Sequence, residues 1–276
     1  TDTVYVTIDK EAVRKSGMMM ASDSIPNRMV ISLKGKNALY KGDLMMLEMI
    51  AQSNWVRPIY VASTVGQENY MNLGDNFVQE GLANRITPFT TNAPGAKNFD
   101  TQKTYNNVMN RYKYGGLWRK GIYIDETLMR MCYTHRRIMA QLALHLISEG
   151  DKQKASKVLQ KAEKELPPYN IPYSYMNGGL DIARAYALLG QTAKAKEVAN
   201  AVWTQSQQYL NWYLSLDGSR FANSMNDCML QIYILRQTAA VMGMADKQAA
   251  AQQENKLNML FKQYQEKGGA IPLDEE

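Results

Sequence analysis

The residues that could do chemistry are few and scattered. His135 and His145 are the only histidines of the 276 residues, and Cys132 and Cys228 the only cysteines. Ten residues apart on a helix, two imidazoles point about 80° away from each other, a poor arrangement for sharing a metal. Two cysteines form neither a disulfide framework nor a paired zinc knuckle. No metal and no cofactor is therefore expected. Asp125 and Glu126 are adjacent carboxylates, but successive helical positions diverge by about 100°, and an Asp at this place reads better as a helix cap. The chain has no G-x-S-x-G elbow, no H-E-x-x-H and no Cys/His pair with nucleophile spacing, so no catalytic residue is assigned.

Two stretches could instead bind. In "NWVRPIYVASTVGQENY" (54–70) an apolar run ends in Ser63, Thr64 and Gly66. If "PIYVA" were a central strand of an open α/β sheet, the hydroxyls and amides at its carboxyl end could hold an anion. The loop lacks the Lys-Ser/Thr pair of a P-loop and the repeated glycines of a dinucleotide fingerprint, so the plainer reading is a turn. The other stretch joins Arg111, Tyr112, Lys113, Tyr114, Trp118, Arg119 and Lys120 around Gly115 and Gly116. Aromatic faces stack on sugar rings or bases while cations hold phosphates or acidic groups, which makes this the candidate ligand-binding surface. Its plainer reading is a glycine-hinged loop packed on neighbouring helices. The methionines at 18–20 and 45, 46 and 49 read as core filling.

The elements that must position these residues fall into two patterns. Val4, Val6 and Ile8 alternate with polar or aromatic neighbours as in a strand, and Asp9 can cap a short helix ending near Gly17. "RMVISL" reads as a second strand, Asp43 as the N-cap of "LMMLEMIAQ", "PIYVA" as a strand, the stretch around "LGDNFVQE" as a helix and "NRITPF" as a strand. Strand and helix alternating at these lengths predict a small, mostly parallel α/β sheet over residues 1–100. Residues 101–123 read as a linker carrying the aromatic and basic segment, and residues 124–276 as an all-α domain.

Within that domain Asp125 caps a long helix closed by Gly150. The run Leu142, Ala143, Leu146, Gly150, Ala155, Leu159, Ala162 is matched by Ile182, Ala183, Tyr186, Gly190, Ala195, Ala199, Val202. Small residues at helix contacts with a Gly ending the first helix resemble tetratricopeptide repeats, although the spacing is forty residues rather than about 34. A third, divergent helical pair would serve as the terminal cap.

Composition bounds the function. The +6 charge is spread without a dense basic block, which argues against a nucleic-acid partner. No run of about 18 to 20 apolar residues is present to span a bilayer. A chain opening on Thr1 and running straight into a strand reads as a piece of something longer.

The run "NWVRPIYVASTVGQENYMNLGDNFVQEGLANRITP", with "NNVMNRYKYGG", "IYIDETLMRM" and "LISEGDKQKASKVL", resembles the C-terminal soluble part of a family of uncharacterised multi-pass membrane proteins. The membrane half of that family is similar to GT-C glycosyltransferases, including protein O-mannosyltransferases. The most specific elements are Trp55, Arg57, Pro58, Ile59 and Tyr60; Glu80, Gly81 and Leu82 with Arg85 and Pro88; and Asp125 with Glu126. Val61 and Asn84 depart from it, the family having a more aromatic residue at the first and a Tyr near the second. The resemblance implies that the catalytic acid lies outside this chain. It also implies that the chain sits on the extracytoplasmic, periplasmic side of a membrane as a non-catalytic accessory domain. Its partners would be the membrane-embedded remainder of the same polypeptide and an acceptor protein or glycan. A freestanding repeat scaffold, and a soluble enzyme using the loop after residues 57–62, are the alternatives.

Overall fold

Asp9 does at the start of the chain what its type predicts. Its carboxylate accepts from the amides of Glu11 (2.9 Å) and Ala12 (3.0 Å) and caps α1 (Lys10–Lys15). Helix α1 follows β1 (Thr3–Thr7) and precedes β2 (Arg28–Ser32). The structure is a computed structural model and describes residues 2–18, 24–90 and 98–269. Thr1, Met19, Met20 and residues 91–97 of the polar stretch lie outside the described residues. The chain divides into two compact units, Thr1–Arg111 and Tyr112–Glu276.

In the first unit β1 pairs antiparallel with β2, from Thr3↔Ser32 to Thr7↔Arg28. A second sheet contains β3 (Tyr60–Ala62), β4 (Phe77–Gln79) and β5 (Ala83–Ile86) in the order β3-β5-β4, again antiparallel throughout. The expected mostly parallel sheet is thus corrected to two small antiparallel ones. Local geometry gives the reason. "LGDNFVQE", expected to be helical, is a 3-10 turn (Gly74–Asn76) followed by β4. Glu80, Gly81 and Leu82 then close a hairpin in which the Glu80 amide donates to the Ala83 carbonyl at 2.9 Å and Gly81 adopts φ +96°. Strands joined by so short a turn pair antiparallel. A single parallel bridge, Gln79 to Phe99, occurs among the described residues.

Helix α2 (Lys41–Gln52) begins before Asp43, not at it. Asp43 is its third residue and reaches back to accept the Tyr40 amide (2.9 Å) and Lys36 Nζ (2.8 Å), the reciprocal half of a capping box. Val13, Met29, Ile31, Ile50, Leu73 and Ile86 pack the core of this unit. Helix α3 (Thr101–Asn106) passes into a π turn (Asn107–Arg111), so the region read as a linker contributes its first half to this unit.

The second unit is a helical array: α4 (Glu126–Ser148), α5 (Lys152–Glu165), α6 (Gly179–Leu188), α7 (Thr192–Ser215), the short α8 (Gly218–Asn223), α9 (Met225–Ala245) and α10 (Lys247–Glu266). The Asp125 carboxylate caps α4 by accepting the Leu128 amide at 2.7 Å. The turns after α4 and α6 are the same turn forty positions apart. Gly150 (φ +86°) and Gly190 (φ +74°) take left-handed backbone. The amides of Glu149, Gly150 and Asp151 donate to the carbonyls of His145, Ile147 and Leu146; those of Leu189, Gly190 and Gln191 donate to Ala185, Ala187 and Tyr186. Ala143, Ala155, Leu159 and Ala162, and their counterparts Ala183, Ala195, Ala199 and Val202, are all buried. The α9–α10 turn has Asp246 and no glycine.

Arg136 of α4 is fully buried, and among the described residues it forms no ion pair with a carboxylate. Its guanidinium donates to the carbonyls of Leu166 (2.6 Å), Ile171 (2.6 Å) and Pro172 (3.2 Å) and lies 4.7 Å from the centre of the Tyr173 ring. Burial lowers its pKa to about 10. The proline-bearing loop between α5 and α6 is folded around this one cation.

Candidate binding surfaces

The loop after β3 closes as a turn. β3 is an edge strand, with β5 in the centre, so the loop does not lie at a crevice between parallel strands. The Ser63 amide donates to Leu82 O (3.1 Å) and the Val65 amide to Ala62 O (3.0 Å). Thr64 is exposed, and the Glu68 carboxylate lies against Gly66, where a Cβ would come within 2.2 Å of it. An anion held here would have to compete with that carboxylate.

The aromatic and basic segment divides. Arg111 ends the first unit. Tyr112 and Tyr114 meet the His135 ring edge-on at 5.6 and 5.3 Å, Tyr114 is buried, and Lys161 Nζ lies 5.5 Å from its ring. Burial raises the Tyr114 pKa and lowers that of His135. Lys113, Trp118, Arg119 and Lys120 are exposed. Arg119 lies 5.7 Å over the Trp118 ring and Lys120 5.4 Å over Tyr169. Asn170 Nδ2 donates to Leu117 O and Arg119 O, both at 2.7 Å, and the Tyr169 hydroxyl donates to Trp118 O. Sequence reasoning did not find Tyr169 and Asn170, whose one signal was an aromatic and an amide inside a proline-rich loop.

The second sheet is held by a buried acid. Glu80 Oε2 accepts the Tyr60 hydroxyl (2.7 Å), and Oε1 accepts Lys103 Nζ (2.8 Å) and Arg85 Nη1 (3.4 Å). Burial alone would raise the pKa of Glu80, but the hydrogen bonds from Lys103 and Tyr60 and the Lys103 and Arg85 charges hold it below its ordinary value. Burial, reinforced by the Glu80 bond, pushes Tyr60 up to about 12. With both oxygens engaged, Glu80 ties β3, β5 and α3 together.

A surface that sequence reasoning missed lies between β1 and α2. A groove of about 1000 Å³ is lined by Val4 to Thr7 of β1 with the following Ile8, and by Leu44, Met45, Leu47, Glu48 and Met49 of α2. Tyr5 (60% exposed), Leu44 (53%), Met45 (56%) and Met49 (52%) leave its rim and floor open and apolar. Met45 and Met49 are therefore surface residues, whereas core filling was expected, because Ile50 and Leu47 take the buried face of α2.

Residues 1–105 match the family model described as TMEM260-associated domain 2. The matched stretch lies within the first unit and includes β1, α2 and the groove between them. This part of the chain is thus similar to a domain associated with a membrane-protein family. No curated protein and no solved structure matches the chain. Among the described residues no helix is long and apolar enough to cross a membrane, and no group of three or more His, Cys, Asp or Glu could hold a metal ion.

Proposed function

We propose that this chain is a non-catalytic, extracytoplasmic accessory domain of a glycosyltransferase-like membrane protein, and that it works in assembly. One observation carries this reading: the stretch similar to TMEM260-associated domain 2 is the one that bears an open apolar groove. Apolar patches on a soluble surface mark interaction sites. In this reading the helical array is tetratricopeptide-like and presents an acceptor protein to the membrane-embedded remainder of the same polypeptide, on the periplasmic face in a two-membrane bacterium. An antibody to this chain, used to follow intact mass and fractionation of the native protein, tests it. A large species in the membrane fraction is the expected result. A species of about 31 kDa in the soluble fraction would overturn it in favour of a freestanding scaffold.

The exposed pairing of Trp118 with Arg119 and of Tyr169 with Lys120 favours a second role, capture of an acidic or sugar ligand on the helical unit. Replacing Trp118 and Arg119 together with alanine is expected to abolish retention on an acidic-glycan column, and unchanged retention would remove the segment as a site.

A further inference from the structure

We propose that the open edge of β1, together with the groove beside it, takes a strand from a partner polypeptide: an extended segment with apolar side chains at alternate positions. This rests on the reading of the first unit as an assembly domain and names the chemistry of what it assembles with.

The hydrogen-bond phase of the sheet identifies the occupant. Leu33 N donates to Asp2 O (2.8 Å) and Ile8 N to Asn27 O (3.2 Å), and between them Val4 faces Ile31 and Val6 faces Met29. The even-numbered residues of β1 therefore bond to β2. In an antiparallel pair the alternate residues turn their main-chain groups the other way, so Thr3, Tyr5 and Thr7 present three N–H donors and three carbonyl acceptors along an edge that pairs with no strand among the described residues. Water solvates such a row, and another extended main chain is the partner that matches all of its donors and acceptors in register.

Folded proteins blunt free edges with charges, prolines or bulges. The opposite edge of this same sheet is blunted: Asn72 Nδ2 donates to Ser32 O (2.9 Å) and Lys34 O (3.1 Å), and β2 begins with the charged Arg28. The β1 edge, Thr-Val-Tyr-Val-Thr, carries no charge and no proline. Beside it Leu44, Met45 and Met49 line the groove, so an added strand needs apolar side chains on that side and small polar ones on the other. Pairing β1 with β1 of a second copy does not meet the requirement, because the apolar Val6 and Ile8 of that copy are already buried in its own core and could not fill the groove. A small apolar molecule would cover the helix and make no use of the main-chain row.

The test uses the full 276-residue chain and a fluorescent peptide, Lys-Thr-Val-Thr-Ile-Thr-Val-Lys, followed by anisotropy. Two further peptides carry N-methyl groups on the threonines or on the aliphatic residues. Strand addition predicts that one methylated set binds at least about tenfold more weakly while the other binds like the parent, since only one set of amides faces β1. Tyr5→Pro, which removes an edge donor and leaves the bonds to β2, is expected to weaken binding about tenfold. So is Met45→Lys, at an exposed position that leaves the fold intact.

The proposal is overturned if the parent peptide does not bind, if both methylated sets bind like the parent, or if Met45→Lys binds unchanged. A concentration-dependent dimer of the chain that Tyr5→Pro dissociates would also overturn it, in favour of a second copy as occupant. Fractionation of the native protein decides the membrane reading separately, so failure of either is distinguishable from failure of the other.

Discussion

Arg136→Met should unfold the helical unit at markedly lower denaturant. The wild-type guanidinium makes three hydrogen bonds to carbonyls and one ring contact. A hydrogen bond to a charged group contributes about 1.5 to 3 kcal/mol net, and a desolvated cation–π contact about 2 kcal/mol. Opposing them is the penalty of burying the cation, visible in the lowering of its pKa to about 10. Met restores apolar bulk and removes the charge, so that penalty disappears, but the carbonyls of Leu166, Ile171 and Pro172 lose their donor. The balance is a loss of about 3 kcal/mol, from the low end of these ranges. With a urea slope of about 2 kcal/mol per molar, the midpoint followed by helical ellipticity falls by about 1.5 M. Arg136→Lys should not rescue it, because one ammonium cannot reproduce the planar fork that joins the start of the loop at Leu166 to its middle at Ile171 and Pro172. A midpoint for Arg136→Met within about 0.3 M of wild type would refute the claim that this cation organises the loop between α5 and α6.

Glu80→Gln should destabilise the first unit by about 3 kcal/mol, mainly because the buried Arg85 loses its counter-charge; Lys103 is more exposed and adds little. Since the folded pKa of Glu80 lies below its ordinary 4.5, its contribution is full above that value and is lost as pH falls through the folded pKa. Wild-type unfolding should therefore shift over that acidic window more than unfolding of Glu80→Gln, and parallel pH profiles would contradict the assignment. Gly178→Ala should lower the melting temperature more than Gly150→Ala. Both positions need left-handed backbone, but a Cβ at Gly178 would sit 3.1 Å from the Arg137 Cα, whereas at Gly150 it meets open space. Equal shifts would show that only backbone conformation matters at these turns.

The sequence by itself determined what depends on near neighbours along the chain. Asp9 and Asp125 cap helices because a short carboxylate reaches amides two or three residues ahead. Gly150 and Gly190 end helices because each turn needs positive φ, and the matching small residues forty positions apart are buried as their types required. The tertiary structure decided what depends on distant partners. In stretches of three to five residues, strand and helix periods are hard to tell apart, so "LGDNFVQE" was misread and with it the direction of the sheet. Asp43 could cap forward or reach back, and the position of Lys36 favours the latter. Tyr169 and Asn170 reach the backbone of Leu117, Trp118 and Arg119 from the loop that closes around Arg136, more than forty residues along the chain. The groove between β1 and α2 has no sequence signature, because Met45 and Met49 have the composition of a core. Which face of a helix is covered is set by the elements packed against it, and on this side of α2 the described residues leave the face open.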